Sequence, residues 1–99
     1  MNVKINFVNI DSDNKLKTFV NQKVNKLSQF YEDILNADVF LKVENNQDLE
    51  NKISEIKLDI PGSPLFAKKQ GKTFEEATDT AVEALRRQLT KHKEKIRRV

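Results

Sequence analysis

The last quarter of the chain carries an apolar stripe with the three- and four-residue spacing of an amphipathic α-helix, and this stripe limits the possible folds more than any other feature. Thr73 and Glu76 have the Thr-x-x-Glu form of a capping box, which predicts that the helix begins there. The apolar positions are Phe74, Ala77, Ala81, Val82, Leu85, Leu89 and Ile96. Because such a stripe must be buried, the chain needs a second layer for this helix to cover.

The basic residues of this predicted helix fall outside its apolar stripe. They are Arg86, Arg87, Lys91, Lys93, Lys95, Arg97 and Arg98. Residues 86–99 contain seven basic residues and one acid, whereas residues 1–85 contain 11 basic and 14 acidic residues. The whole positive excess therefore lies at one end, which indicates a surface that binds a polyanion. A solvated face that only complements the helix dipole is the alternative, but the dipole needs one or two cations in the last turn and not seven.

The first half of the chain contains a strand and a helix. Residues 3–7 alternate apolar and polar side chains, as expected for a strand with one buried face. Residues 13–31 have helical apolar spacing, and Asp11 or Ser12 is the expected N-cap. Lys23 lies at the edge of that apolar stripe, where its stem can pack while its amine reaches solvent.

Three more strands are expected between the two helices. Residues 39–43 and 56–60 alternate on either side of a polar turn at 45–51, which predicts a hairpin. The Pro-Gly-Ser-Pro segment at 61–64 is a second turn, and a fourth strand runs from Leu65 to Gly71.

This order predicts one α+β domain spanning residues 1–99, with the elements arranged β-α-β-β-β-α. A helical crossover makes the first two strands parallel, and the remaining strands form an antiparallel meander. The sheet is therefore mixed and four-stranded, with both helices packed on one face.

Several classes of function are not expected. The chain has no cysteine, no Gly-rich phosphate loop and no nucleophilic triad, and capping accounts for Glu75 and Glu76. We therefore expect no enzyme activity, cofactor, metal or small-molecule substrate. No apolar run approaches the ~20 residues that span a bilayer, so a soluble cytoplasmic protein without membrane contact is expected. Tyr31 and Phe30 are expected in the core, while both packing and RNA stacking remain open for His92.

The segment at 87–95, RQLTKHKEK in one-letter code, carries a family resemblance together with residues 17–30, 40–44 and 67–71. On these residues the chain resembles, over essentially its whole length, the ribosome hibernation-promoting factors, also called ribosome-associated inhibitors or sigma-54 modulation proteins. The resemblance implies a β-α-β-β-β-α domain, similar to a double-stranded-RNA-binding domain, that lies in the mRNA channel of the small ribosomal subunit near the decoding and tRNA sites. There it would contact 16S rRNA and neighbouring ribosomal proteins, and it would silence translation in stressed or stationary cells by steric occupancy.

The chain stops at Val99, so it looks like the short type of the family, which is thought to need a partner factor to pair ribosomes. The resemblance also implies which residues contact rRNA. Positions that match the family motif are Arg87, Lys91, His92, Lys93 and Lys95 on the last helix, with Lys23 and Lys26 on the first. Charge alone adds Arg86, Arg97 and Arg98.

Two other functions stay open from the sequence. The first is a free-standing module that binds duplex RNA, although the turn at 45–51 is acidic where such modules commonly use a basic loop. The second is a protein-interaction module that modulates transcription.

Overall fold

The computed structural model describes residues 1–45 and 49–97, the last two of these, 96 and 97, without their side chains. The six predicted elements are present in the predicted order. They are β1 (Asn2–Phe7), α1 (Asn14–Phe30), β2 (Asn36–Val43), β3 (Lys52–Asp59), β4 (Leu65–Gly71) and α2 (Phe74–Arg97). Residues 46–48 of the turn predicted at 45–51 lie outside the described residues.

The four strands form one mixed sheet in the order β1-β2-β3-β4. β1 runs parallel to β2, as the helical crossover requires, and the other two pairs are antiparallel. One row of paired residues crosses the sheet from Ile5 through Val39 and Ile56 to Ala67. Side chains of this row lie in the core together with those of both helices, so the predicted α+β architecture is confirmed.

α1 begins at a cap that directly follows the two predicted candidates. Asp13 is the N-cap, and its Oδ1 accepts hydrogen bonds from the backbone N–H groups of Lys15 and Leu16 at 2.9 and 3.2 Å. The prediction of Asp11 or Ser12 was wrong because only the residue directly before the first helical turn can reach those amides. At the other end, Tyr31 adopts an extended backbone and donates its N–H to the Leu27 carbonyl.

α2 begins with half of the predicted capping box. The Thr73 hydroxyl accepts from the backbone N–H of Glu76 at 3.0 Å, as expected. The Glu76 carboxylate, however, accepts from the N–H of Lys72 at 3.3 Å and not from that of the cap itself. Gly71 permits this tight entry, because a Cβ there would lie 3.2 Å from the backbone nitrogen of Ala77.

Small side chains let the first half of α2 approach the sheet closely. Ala77 and Ala81 are fully buried, and Leu85 and Leu89 continue the buried stripe. Between the alanines, the Thr78 hydroxyl hydrogen-bonds the hydroxyl of Ser54 on β3 at 3.1 Å, with both residues fully buried. The helix layer thus leaves one sheet face open and presents its own outer surface to solvent. No helix within the described residues is long and apolar enough to cross a membrane.

Candidate nucleic-acid interface

The two helices lie side by side and leave a groove of about 510 Å³ between them. We call it the helix groove and define it by Lys23, Lys26 and Phe30 of α1 and Asp79, Val82 and Arg86 of α2. The α1 wall is basic, because Lys23 and Lys26 line it and residues 14–30 contain no acid. The predicted contribution of α1 lysines to the basic surface of α2 is therefore geometrically possible.

Phe30 organises the basic end of the helix groove. The Arg86 guanidinium lies 5.3 Å from the centre of the Phe30 ring, and the Lys93 amine lies 4.7 Å from it. Both distances are within the range of a cation–π interaction. Lys93 also donates a hydrogen bond to the Phe30 carbonyl at 3.0 Å, which satisfies one of the last carbonyls of α1. The sequence placed Phe30 in the core, whereas the ring is half-buried and positions two cations.

His92 packs against the aromatic residue that follows α1. Its ring lies 5.7 Å from that of Tyr31 in an edge-to-face arrangement, at an interplanar angle of 75°. Tyr31 is buried in the core, as predicted, and His92 is half-buried. The packing alternative for His92 is thus realised, and its contact with RNA stays a prediction.

Lys23 has a partner that the sequence did not suggest. Its amine lies 3.0 Å from the Asp79 carboxylate across the helix groove and 5.6 Å from the centre of the Phe19 ring. The stem of Lys23 packs at the edge of the apolar stripe, as predicted, but the amine is already paired. Only the juxtaposition of the two helices brings these residues together, so no spacing within either helix indicates the contact.

Four other predicted cations are exposed and form no ion pair within the described residues. Arg87, Lys91 and Lys95 follow one another at four-residue steps, so they form a row along α2 that we call the basic ridge. All three are exposed, and none forms an ion pair with the described part of the chain. Lys26 is likewise exposed and without an ion pair there, at the groove edge.

The last two predicted residues fall at the limit of the description. Arg97 is the final residue of α2, whereas Arg98 lies outside the described residues. The structure thus brings Lys26, Arg86 and Lys93 together at the basic end of the helix groove, and the basic ridge lies on the next face of α2. Lys23 belongs to the opposite end of the groove, which we call acidic because Asp79 lies there, and Glu83 follows one helical turn later on α2.

The fold has two helices over a mixed four-stranded sheet, and the exposed cations of α2 lie in its C-terminal half. These features define a class of α+β domains suited to binding nucleic acid. Residues 3–97 match the family described as "Sigma 54 modulation protein / S30EA ribosomal protein". The chain belongs to this family, which confirms the resemblance found in the sequence.

Similar proteins cover nearly the whole chain. The chain is 34% identical over 97 residues to a protein of Salmonella typhimurium named ribosome hibernation promoting factor, with 98% of each chain covered. A protein of the same name from Pseudomonas putida is 33% identical over 95 residues, which cover 96% of this chain and 89% of the relative.

Solved structures share the fold. A ribosomal subunit interface protein from Coxiella burnetii superposes with a TM-score of 0.83 at 20% identity, covering 94% of this chain and 98% of that one. The N-terminal domain of Protein Y from Thermus thermophilus gives a TM-score of 0.79 at 24% identity, covering 93% and 99%. At these identities the likeness supports the β-α-β-β-β-α fold alone.

Proposed function

We propose that this chain is a ribosome hibernation factor that binds the small ribosomal subunit and silences translation by occupying it. The observation that carries the proposal is the basic ridge of Arg87, Lys91 and Lys95, which is exposed and without an ion pair in the described chain. Relatives that match across 98% of this chain are named ribosome hibernation promoting factors, which supports the same role here.

The proposed site is the mRNA channel near the decoding and tRNA sites, where 16S rRNA supplies the phosphates. The basic ridge and two cations of the groove's basic end, Arg86 and Lys93, lie on α2, which is held rigidly on the sheet by its buried stripe. Because these cations are held on a rigid helix, less conformational entropy is lost when they bind. The domain then acts by steric exclusion, because a folded domain in the channel blocks mRNA and tRNA without any catalytic group.

Electrostatics sets how the binding responds to salt. Each lysine or arginine that neutralises a phosphate releases condensed counterions, so affinity falls as salt rises. For four to six such contacts the slope of log affinity against log salt is roughly −3 to −5. Shape complementarity to the ribosome adds the part of the affinity that salt does not affect.

Charge reversal on the basic ridge tests the proposal. We expect Arg87→Glu with Lys91→Glu to weaken co-sedimentation with small ribosomal subunits about 100-fold, since two charge-assisted contacts contribute roughly 1.5 kcal/mol each. Lys4→Glu with Lys57→Glu is the matched control, because both lysines are exposed and point to the opposite face of the sheet. Binding is measured at a temperature at which both double variants are folded, because Lys4 and Lys57 flank Asp38 in the sheet and their reversal places three acids side by side.

Four results would contradict the proposal. The first two are a wild-type protein that fails to associate with small subunits at moderate salt, and a ridge variant that binds as well as the control. Equal affinity for a naked RNA duplex and for small subunits would instead identify a free-standing duplex-binding module. Association with a protein partner that survives nuclease treatment, together with little ribosome binding, would identify a protein-interaction module.

A further inference from the structure

The ion pair between Lys23 and Asp79 bridges the helix groove at its acidic end. The Lys23 amine and an Asp79 carboxylate oxygen lie 3.0 Å apart, and the two residues belong to different helices. The Lys23 side chain is 33% exposed and that of Asp79 is 52% exposed, so RNA could approach both. The pair therefore lies on the surface proposed to bind RNA and is not a buried structural contact.

Lys23 and Lys26 share the α1 wall of the groove but differ in their surroundings. Lys26 is exposed and has no ion pair within the described residues. Lys23 has its amine between the Asp79 carboxylate and the face of Phe19. Only Lys26 is thus free to neutralise a phosphate without first losing a partner.

A carboxylate beside a lysine weakens the attraction between that lysine and an RNA phosphate. The phosphate would have to displace Asp79 from the Lys23 amine and then lie close to the displaced carboxylate, which repels it. Glu83 follows Asp79 by one helical turn, also lines the groove and adds a second negative charge. Towards the other end, Arg86 and Lys93 lie beside Phe30, and Glu94 lies beside Lys93.

We propose that Asp79 is a specificity-determining residue that masks Lys23 and so limits the RNA footprint to Lys26, Arg86 and the basic ridge. The inference rests on the proposed RNA-binding function and deepens it. An ordinary duplex lying along the groove would meet the acidic end and lose affinity. A ribosomal site whose phosphates contact only the basic end of the groove loses no affinity.

Two substitutions that break the same ion pair separate this role from a purely structural one. Asp79→Asn frees Lys23 and is expected to raise the affinity for a 20-base-pair RNA duplex of arbitrary sequence about threefold to tenfold. One extra phosphate contact steepens the salt slope by about 0.9, so the gain shrinks about threefold between 50 and 200 mM salt. Lys23→Gln removes a cation that is already neutralised, and we expect it to change duplex affinity less than about twofold.

The double variant Lys23→Gln with Asp79→Asn should lose the gain, because the freed amine is then absent. Asp59→Asn and Lys57→Gln are the charge-matched controls, since both residues are exposed on the opposite face of the sheet. Either control reports the effect of net charge alone.

The affinity for small ribosomal subunits is measured in parallel. A free duplex can shift to reach Lys23, whereas a shaped site holds its phosphates in place, so Asp79→Asn should change subunit affinity less than about twofold. The ratio of subunit to duplex affinity therefore falls in this variant. Duplex binding by Asp79→Asn that equals or falls below that of Asp59→Asn would overturn the inference, as would a gain that persists in the double variant. A wild-type protein that does not bind small subunits would instead overturn the proposed function.

Discussion

The two halves of α2 bury the same kind of stripe but carry opposite charges on their outer faces. Residues 74–85 contain four acids and no base, whereas residues 86–97 contain six bases and one acid. In the first half, Ala77, Thr78 and Ala81 bring the helix close to β3 and β4. In the second half, Arg87, Lys91 and Lys95 extend from the outer face into solvent.

This difference shows that the attachment of the helix to the sheet and the display of charge use different residues. Acids near the N-terminus and bases near the C-terminus both complement the helix dipole, so stability alone accounts for the order of the signs. It does not account for six bases in the second half, because the dipole acts only within the last turn. Changes to the buried residues of the first half should therefore affect folding, and changes to the exposed bases of the second half should affect binding.

Among the substitutions that test this comparison, the largest effect is expected at Thr78, in the first half of α2. Thr78→Val keeps the side-chain shape but leaves the buried Ser54 hydroxyl without the hydrogen bond measured at 3.1 Å. Loss of a partner by a buried polar group costs about 1–3 kcal/mol of unfolding free energy. Urea denaturation should show this loss, while the affinity of the folded protein for small subunits stays unchanged.

The companion variant is Ser54→Ala combined with Thr78→Val, which removes both polar groups. Its stability should recover most of the way to that of the wild type, because no buried hydroxyl is left unpaired. If the losses of unfolding free energy in the single variants Ser54→Ala and Thr78→Val simply add in the double variant, the hydrogen bond between these hydroxyls is not what stabilises this half of α2.

A smaller effect is expected at Phe30, which contacts the second half of α2. Phe30→Leu keeps an apolar side chain but removes the ring that lies 5.3 Å from Arg86 and 4.7 Å from Lys93. Exposed cation–π contacts contribute about 0.5–1 kcal/mol, so subunit affinity should fall about twofold to fivefold. The salt slope should stay the same, since the cations remain present but less well positioned.

Phe30→Tyr is the control, because it keeps the aromatic ring. Its affinity should equal that of the wild type. If Phe30→Leu binds as tightly as Phe30→Tyr, the ring does not position these cations and the groove contributes through charge alone.

The sequence predicts most of the fold because its patterns are local. The alternation at residues 3–7 and 39–43 and the spacing of Leu85 and Leu89 each follow from one element at a time. The position of the α1 cap was the exception. Several capping residues stand in a row before this helix, and the backbone conformation of Asp13 decides between them.

The candidate site is less predictable because its geometry depends on contacts between elements. The basic residues of α2 are evident from the sequence, and the exposed basic ridge agrees with the predicted basic face. The pairing of Lys23 with Asp79 and the position of Lys93 over Phe30 join residues 56 and 63 positions apart. No periodicity within one helix encodes such contacts, so the sequence could not separate free cations from paired ones.

The smallest effect is expected at Glu94, the one acid in the basic half of α2. Glu94 is exposed beside Lys93 and Thr90, and it forms no ion pair with the described residues. Glu94→Gln removes a negative charge near the proposed phosphates without freeing a cation. Because solvent and salt screen this charge, we expect only about a twofold gain in subunit affinity. The salt slope should stay unchanged, unlike that of Asp79→Asn with the RNA duplex, since no new phosphate contact forms. Glu75→Gln makes the same substitution in the acidic half and should leave the affinity as it is. Equal gains from both variants would mean that net charge alone sets binding and that the two halves of α2 do not differ in their contact with RNA.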